Sequence, residues 1–223
     1  MIENPLNQYL AESNVFSDNE QLLSEFVERC SINGIINSLL NDKKQLTLVA
    51  RKSYFHSNGF IKITLIESGL FGQKMRLHIW PQNIEYTGNN IHNHAWDYSS
   101  IVCVGELRMD TFQETVSSNS LYNKIKVGDI SNMSINDYGE VSLEKTTSTL
   151  LNKHNTYSLS NDKIHKVTTD RYTATLVLQG NHLQNFSYIY LNKGEMYNPY
   201  CVTRLTPDLL ESFLYEFSAK SNS

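Results

Sequence analysis

Apolar residues near the start of the chain recur with the period of an α-helix. Ser17 and Glu20 have the spacing of a capping box, which begins a helix. The apolar positions that follow lie on one helix face: Leu22, Leu23, Phe26, Val27 and Cys30. Asn33 and Gly34 are typical of a helix end, and residues 35–40 predict a second short helix. The pattern therefore predicts an N-terminal helical extension over residues 1–44.

From residue 45 the period of the pattern changes to that of β-strands. Short runs rich in β-branched and aromatic residues recur at close intervals, broken by Gly, Asn, Asp and Ser. The strand candidates are residues 46–50, 60–66, 75–80, 99–104, 106–112, 174–178 and 186–191. Closely spaced short strands are typical of an all-β sandwich or barrel rather than of βαβ units. We therefore expect a mainly β domain over residues 45–200.

Two further segments depart from this strand pattern. Residues 113–152 are polar and predict a long hairpin or an excursion from the barrel. Residues 201–223 contain an amphipathic helix, which Thr206 can cap and in which Pro207 takes the first helical position. Its predicted buried face consists of Leu209, Leu210, Phe213, Leu214 and Phe217. We expect this helix to pack on the outside of the barrel.

Composition and charge exclude several classes of protein. The chain has 223 residues, 40% of them hydrophobic, so it can bury a sizeable core. No stretch approaches the ~18 consecutive apolar residues of a membrane span. The net charge is −4 and the 19 basic residues form no cluster. This balance argues against binding to nucleic acid or to an anionic membrane surface.

Cysteine usage and the N-terminus indicate a reducing compartment. Cys30, Cys103 and Cys201 are odd in number, lie far apart and form no CxxC pattern, which suits buried thiols. Met1 to Pro5 has neither the basic region nor the apolar core of a signal peptide. We therefore expect a cytoplasmic protein.

Histidine placement carries the functional argument. His92 and His94 are two residues apart, so on a strand they face the same side and can reach one ion. The strand that follows ends at Gly105. His165 lies just before the strand at 174–178 and offers a third imidazole. These three histidines predict a site for a divalent metal.

An HxH pair, a glycine-closed strand and a distant histidine resemble the cupin superfamily. This superfamily has an RmlC-like double-stranded β-helix barrel that binds a divalent metal through such residues. Gly105 matches the glycine of the first cupin motif, and His165 matches the histidine of the second. Tyr98 stands where the first motif has its Glu ligand. Three positions of the second motif also differ: Ser160 and Asp162 replace Pro and Gly, and Thr169 replaces Asn.

A three-histidine site without a carboxylate is similar to that of the thiol dioxygenases within the cupins. The resemblance implies Fe(II) as cofactor, O2 as co-substrate and a small polar, anionic metabolite such as an amino acid or a thiol. Three imidazoles suit Zn, Ni, Mn and Cu as well, so the metal stays open. By strand parity Asp97 points away from the histidine pair. It is a hydrogen-bond acceptor outside the ligand set, a turn residue or, with a bulge, a fourth ligand.

Several other residues are candidates for the substrate site. Arg76, His78 and Trp80 alternate along one strand and therefore share a face. If that face is the barrel interior, Arg76 can anchor a substrate carboxylate and His78 can exchange a proton or hydrogen bond. Arg171 is a second carboxylate anchor. Packing or surface roles are the alternatives for all of these residues.

Tyrosines and the remaining histidines complete the candidate set. The phenol of Tyr98 keeps the inward parity and could donate a hydrogen bond at the metal, and Tyr157 could reach the cavity. A packing role is the alternative for each tyrosine. The other histidines lie in turn-like contexts, and we expect them to be solvated: His56, His154 and His182.

The resulting hypotheses cover three kinds of function. The first is a mononuclear non-haem iron oxygenase. The second is a non-redox metal cupin (an isomerase, epimerase or lyase), and the third is a ligand-binding cupin without catalysis. A 2-oxoglutarate oxygenase ranks lower because the HxD or HxE pair is missing, and no GxGxxG, P-loop, GxSxG or HExxH motif is present. Because cupins are often dimers, the resemblance also implies a homodimer.

Overall fold

The computed structural model describes residues 32–67, 73–82, 91–117, 120–128, 135–197 and 203–222. The helix predicted from Ser17 to Cys30 lies outside this part of the chain. The described helices are α1 (Ile32–Leu40), α2 (Lys43–Lys52) and α3 (Pro207–Ser221). None of these three is both long enough and apolar enough to cross a bilayer.

Two predictions for the N-terminal region were wrong. Asn33 and Gly34 lie inside α1 and do not end a helix. Residues 46–50, predicted as a strand, belong to α2, which also spans the predicted domain boundary between residues 44 and 45. Asp42 caps α2 by accepting hydrogen bonds from the backbone of Lys44 and Gln45. This cap and burial at helical spacing outweigh the β propensity of the segment: the buried positions are Leu46, Val49 and Ala50.

All the other strand predictions were confirmed. The strands are β1 (Tyr54–His56), β2 (Phe60–Glu67), β3 (Lys74–Trp80), β4 (Ile91–His92), β5 (Trp96–Val104), β6 (Glu106–Thr115), β7 (Leu121–Gly128), β8 (Ile135–Asn152), β9 (Thr156–Leu159), β10 (Ile164–Thr168), β11 (Thr173–His182), β12 (Phe186–Asn192) and β13 (Thr203–Arg204). Strands β7 and β8 form the hairpin predicted for the polar segment.

Eight of these strands form a double-stranded β-helix. The chain alternates between two sheets, placing β3, β5, β9 and β11 in the first and β4, β6, β8 and β10 in the second. The first sheet contains the order β3-β11-β5-β9, and in the second β4 pairs with β10, β10 with β6 and β6 with β8. This strand order is that of the jelly roll found in cupins. The predicted fold class is therefore confirmed.

The remaining strands extend both sheets. Strands β2, β1 and β13 continue the first sheet beyond β3. Strand β12 pairs with β4 on one side and with β7 on the other, and the pairing of β6 with β10 closes the second sheet into a barrel.

The first sheet separates an apolar outer layer from a polar interior. Its outer face packs against the three helices in one cluster that includes Ile36, Leu77, Ile79, Leu176 and Leu214. Helix α3 contributes Leu210, Leu214 and Phe217, so its predicted position on the outside of the barrel was confirmed. Leu209 is 43% exposed and does not belong to the buried face. Because strand residues alternate, the neighbours of the apolar positions point inward between the sheets.

Candidate metal centre

A cavity opens between the two sheets, on the inner face of the first. Its lining comes from both sheets and consists of His56, Asn58, Phe60, Lys62, Arg76, His78, Trp80, His92, His94, Trp96, Tyr98, Tyr157, His165, Val167 and Val177. Strands β2 and β3 contribute every second residue, as their pleat requires. Arg76, His78 and Trp80 therefore share the inward face, as their alternation in the sequence predicts.

The three predicted metal histidines come together in this cavity. Their nearest ligand nitrogens all lie within 4.8 Å of one another. His92 and His165 face each other across the pairing of β4 with β10. His94 lies in the turn between β4 and β5, so the HxH pair is not on one strand as predicted. In the part of the chain that the structure describes, this is the single group of three or more side chains able to hold a metal.

Burial keeps two of these imidazoles, those of His94 and His165, neutral. The pKa of His94 lies well below its usual value because of burial and of the neighbouring His92 and His165. Burial, followed by the charge of His92, lowers the pKa of His165 to about 3. A neutral imidazole has a free lone pair for a metal. Both rings are therefore ready to act as ligands at neutral pH.

The donor set fits a divalent transition metal. Two nitrogens on one ion, each at about 2.1 Å, can be at most ~4.2 Å apart, so modest side-chain rotations bring the three rings into range. Nδ1 of His165 lies 3.4 Å from the carbonyl oxygen of Lys163, which favours a proton on Nδ1 and leaves Nε2 for a metal. Among the described residues that line the cavity there is no carboxylate. The set is therefore three imidazole nitrogens, which suits iron, zinc, copper or nickel.

Asp97 does not complete this ligand set. Its Oδ1 accepts a hydrogen bond from the backbone N–H of Asn161, and its side chain is outside the cavity lining. That bond holds the loop before β10 against the start of β5. The position of Asp97 therefore agrees with the prediction that its side chain points away from the histidine pair.

Two buried tyrosines lie beside the histidine cluster. Oη of Tyr98 is 3.2 Å from Nε2 of His165, and the Tyr98 ring contacts that of Tyr157 edge-on. Burial raises the pKa of Tyr98 well above its usual value, with a smaller contribution from Tyr157. Burial also raises the pKa of Tyr157 to about 12. Both phenols hold their protons at neutral pH and are available as donors.

Two buried cations lie in the same cavity. Arg76 is 7% exposed and Lys62 is 8% exposed. The guanidinium of Arg76 lies 5.4 Å from the centre of the Trp96 ring, and its Nε has no hydrogen-bond partner. Burial lowers the pKa of Arg76 to about 10. Burial and the charge of Arg76 lower the pKa of Lys62 well below its usual value.

Aromatic rings form one wall of the cavity. Phe60 stacks on His56 at 4.5 Å between ring centres, and it contacts His78 at 4.4 Å and Trp80 at 5.1 Å. His56 is therefore part of the cavity, and its predicted solvated position was wrong. Its Nδ1 accepts a hydrogen bond from the backbone of Asn58 across the turn between β1 and β2. This turn folds His56 inward, which the sequence of the turn does not reveal.

Other predicted residues lie away from the cavity. Arg171 is exposed and forms an ion pair with Glu106, so the structure does not bring it to the site as a carboxylate anchor. His165 lies near the start of β10, whereas Arg171 lies beyond the other end of that strand. His154 and His182 are exposed, as predicted. His182 packs its ring 4.9 Å from Trp96, on the outer side of that residue.

Sequence reasoning missed Lys62, Phe60, Asn58 and Trp96 as cavity residues. A signal for Lys62 was present: it is the single charged residue within the apolar run at 60–66. A lysine inside a fully buried strand needs a polar space to point into. The inward face of β2 provides that space.

No protein-family model and no curated protein matches this sequence. Among solved structures, it is similar to hydroxypropylphosphonic acid epoxidase from S. wedmorenis, at 11% identity and a TM-score of 0.34 over 55% of this chain and 51% of the epoxidase. It is similar to hydroquinone 1,2-dioxygenase from Sphingomonas sp. TTNP3 at 10% identity and a TM-score of 0.34, over 54% and 65% of the two chains.

A protein of unknown function from Acinetobacter sp. ADP1 is similar at 15% identity and a TM-score of 0.33, over 58% of this chain and 89% of that one. This chain thus spans about half of the epoxidase and less than two thirds of the dioxygenase. The strand order of the two sheets, rather than these similarities, establishes the double-stranded β-helix.

Proposed function

We propose that this protein is a mononuclear non-haem iron oxygenase of the dioxygenase type. In this proposal His92, His94 and His165 hold Fe(II), and the cavity binds a small anionic metabolite such as an amino acid or a thiol. The observation that carries the proposal is the meeting of three histidines around one point of a polar cavity. Zn, Ni and Cu suit the same nitrogens and Mn is a further alternative, so the choice of iron is part of the proposal.

Ferrous iron, when bound, supplies open coordination positions and the redox chemistry that O2 requires. The protein's own residues supply orientation and a controlled environment. Arg76 and Lys62 place positive charge where an acid group of the substrate can bind. Phe60 and Trp80 offer apolar surface that excludes water from one side. The Tyr98 hydroxyl holds a proton beside Nε2 of His165.

One observation favours a second candidate, a non-redox isomerase, epimerase or lyase. Tyr98 is a buried, protonated phenol next to the histidine cluster. His78 is a half-buried residue whose Nε2 is buried without a hydrogen-bond partner, and loss of hydration lowers its pKa well below the usual value. A proton donor and a neutral base on the two sides of a bound substrate are the parts that proton-transfer chemistry needs.

Metal analysis tests the histidine site. We expect near-stoichiometric iron in the purified wild-type protein and its loss in His92→Ala and His165→Ala, because each variant keeps only two ligands. The folded state should survive, since the rings lie in a cavity rather than in the packed core. The matched control is His182→Ala, which removes an exposed histidine outside the cavity and should keep the iron. Equal iron in all four proteins would remove the site as proposed.

Oxygen uptake separates the candidate functions. The iron-loaded protein is incubated with small thiols and amino acids in an oxygen electrode. Consumption of O2 that depends on substrate and is absent in His92→Ala supports the oxygenase. Conversion of a substrate without O2 uptake supports the isomerase, epimerase or lyase. A bound metabolite that is recovered unchanged after aerobic incubation supports a ligand-binding protein.

A further inference from the structure

The cavity has an unusual balance of charge for this chain. The whole chain has a net charge of −4. Nevertheless, among the described residues, the cavity lining contains Lys62, Arg76 and five histidines and not one Asp or Glu. Within that part of the chain, the positive charge in the cavity therefore has no counter-charge in the lining.

Lys62 and Arg76 are both more than nine-tenths buried. Neither takes part in an ion pair among the described residues, and Nε of Arg76 lacks a hydrogen-bond partner. The nearby carboxylate of Glu67 is already held by Lys52 and Lys74. Burying a charge without a partner is strongly unfavourable, so a buried lysine or arginine either tends to lose its proton, as the lowered pKa of Lys62 indicates, or is compensated by an anionic ligand that keeps it charged.

The two cations can reach the same ligand. Lys62 lies opposite His78 in the pairing of β2 with β3, and Arg76 lies opposite Thr64. Lys62 and Arg76 are therefore diagonal neighbours on one face, which places their backbones about 7–8 Å apart. The positive charges of Lys62 and Arg76 repel each other, and an anion bound between them would offset that repulsion.

The cation pair is also adjacent to the histidine cluster. The Trp96 ring lies 5.4 Å from the Arg76 guanidinium carbon and 5.5 Å from the His94 ring. One indole thus separates the two sites. An anion held by Lys62 and Arg76 can extend past Trp96 toward the three histidines.

We infer that Lys62 and Arg76 form one anion site and that its ligand carries two negative charges, either on two carboxylates or on one phosphate or phosphonate group. A monoanion would pair with one cation and leave the second buried and uncompensated. A dianion compensates both. This inference deepens the proposed function, since the dianion would be the substrate or part of it.

Calorimetric titration of the metal-free protein tests the anion site. The probes are malonate, inorganic phosphate and acetate, at equal ionic strength and neutral pH. We expect malonate or phosphate to bind about tenfold or more tightly than acetate, as the pairing of a second buried charge implies. Preference for malonate indicates two carboxylates, and preference for phosphate indicates a single dianionic group. Equal affinity for all three probes, or no binding, overturns the inference.

Variants assign the effect to the two residues. Lys62→Met should reduce the preference for the dianion to about one while acetate still binds through Arg76. Arg76→Met should weaken both kinds of probe, and Lys62→Arg should restore the preference. The matched control is Lys74→Met, which lies on β3 but is held by Glu67 outside the cavity. A Lys62→Met protein that retains the full preference would contradict the inference.

The same titration distinguishes this inference from the proposed function. His92→Ala should keep the preference for dianions, because the anion site does not need the metal. A dianion preference in a protein that never consumes O2 would leave the anion site standing and reject the oxygenase. Iron binding and O2 uptake by a protein that shows no preference for dianions would support the oxygenase and reject the anion site.

Discussion

At the scale of the residue, alternation along a strand decides which side chains meet solvent, core or cavity. On β3, Leu77 and Ile79 are completely buried against the helices, while Arg76 and His78 line the cavity. One step along the strand thus changes the environment from apolar to polar. The same alternation turns Lys62 into the cavity from a mostly apolar strand.

Gly105, between β5 and β6, is a residue whose identity the backbone requires. Its φ is +75°, and a Cβ there would lie 2.4 Å from the carbonyl oxygen of Tyr172. We expect Gly105→Ala to lower the free energy of unfolding by more than about 2 kcal/mol, because a left-handed backbone and a clash add together. Urea unfolding followed by circular dichroism measures this.

Gly139 provides the matched control for that prediction. Its φ is +83°, but no atom lies within 4 Å of the Cβ that alanine would add. Gly139→Ala should therefore cost only the backbone strain, about 1–2 kcal/mol. Equal losses in the two variants would mean that the Tyr172 carbonyl does not constrain this turn.

At the scale of the element, ionic contacts join the ends of neighbouring segments. Glu67 at the end of β2 contacts Lys52 at the end of α2, at 2.7 Å, and Lys74 at the start of β3, at 2.6 Å. Hydrogen bonds from Lys52 and Lys74 lower the pKa of Glu67 to about 2. One carboxylate therefore links a helix and two strands on the rim of the first sheet.

Removal of this link should have a small, pH-dependent effect. Glu67→Gln should lower the free energy of unfolding at pH 7 by less than about 1 kcal/mol, since the contacts are partly exposed and screened. The folded pKa lies below the unfolded one, so the stabilisation is present above the unfolded pKa and is lost as pH falls toward about 2. The difference in free energy of unfolding between wild type and variant, measured in urea, should therefore disappear over that pH range.

A second acidic residue serves as the control for this link. Glu140 approaches Lys193 only at 3.8 Å, with both side chains at least half exposed. Glu140→Gln should leave the urea midpoint unchanged at pH 7 and at pH 3. A larger effect for Glu140→Gln than for Glu67→Gln would contradict this account of the rim.

At the scale of the whole molecule, a cavity lined with histidines makes stability depend on pH. Burial lowers the pKa of four of them well below the usual value, in the case of His165 to about 3. These residues are His56, His78, His94 and His165. The folded protein excludes protons that the unfolded chain accepts near pH 6.5. Stability of the metal-free protein should therefore fall as pH decreases from about 7 to 5.

His78→Phe should make that dependence less steep. His78 faces Lys62, Arg76 and His56, which all disfavour its charged form, and it packs between Phe60 and Trp80. Phenylalanine keeps the packing and removes one titrating group, so the slope should decrease by up to about 1.4 kcal/mol per pH unit. Urea unfolding at pH 7, 6 and 5 measures the slope.

Above about pH 7.5 the wild-type protein and His78→Phe should show the same pH dependence, since histidine is neutral there in both the folded and the unfolded state. A slope that stays unchanged between pH 7 and 5 would mean that His78 takes up a proton in the folded protein. That result would remove it as a neutral base in the cavity.

Local pattern in the sequence determined much of this protein. Strand-like runs identified six of the thirteen described strands, and period-two alternation identified the shared face of Arg76, His78 and Trp80. That face follows from strand geometry, which acts between near neighbours in the chain. The candidate metal histidines were identified by the HxH pair and by the position of His165 relative to a later strand.

Tertiary structure alone decided which distant residues share the cavity. The pairing of β2 with β3 brings Lys62 beside Arg76, the turn after His56 folds that residue inward, and Arg171 is left outside with Glu106. The helix at residues 43–52 also needed its cap and its packing partners to overcome the β propensity of the segment. Contacts between sheets and loss of hydration depend on residues far apart in the chain, so no local pattern can encode them.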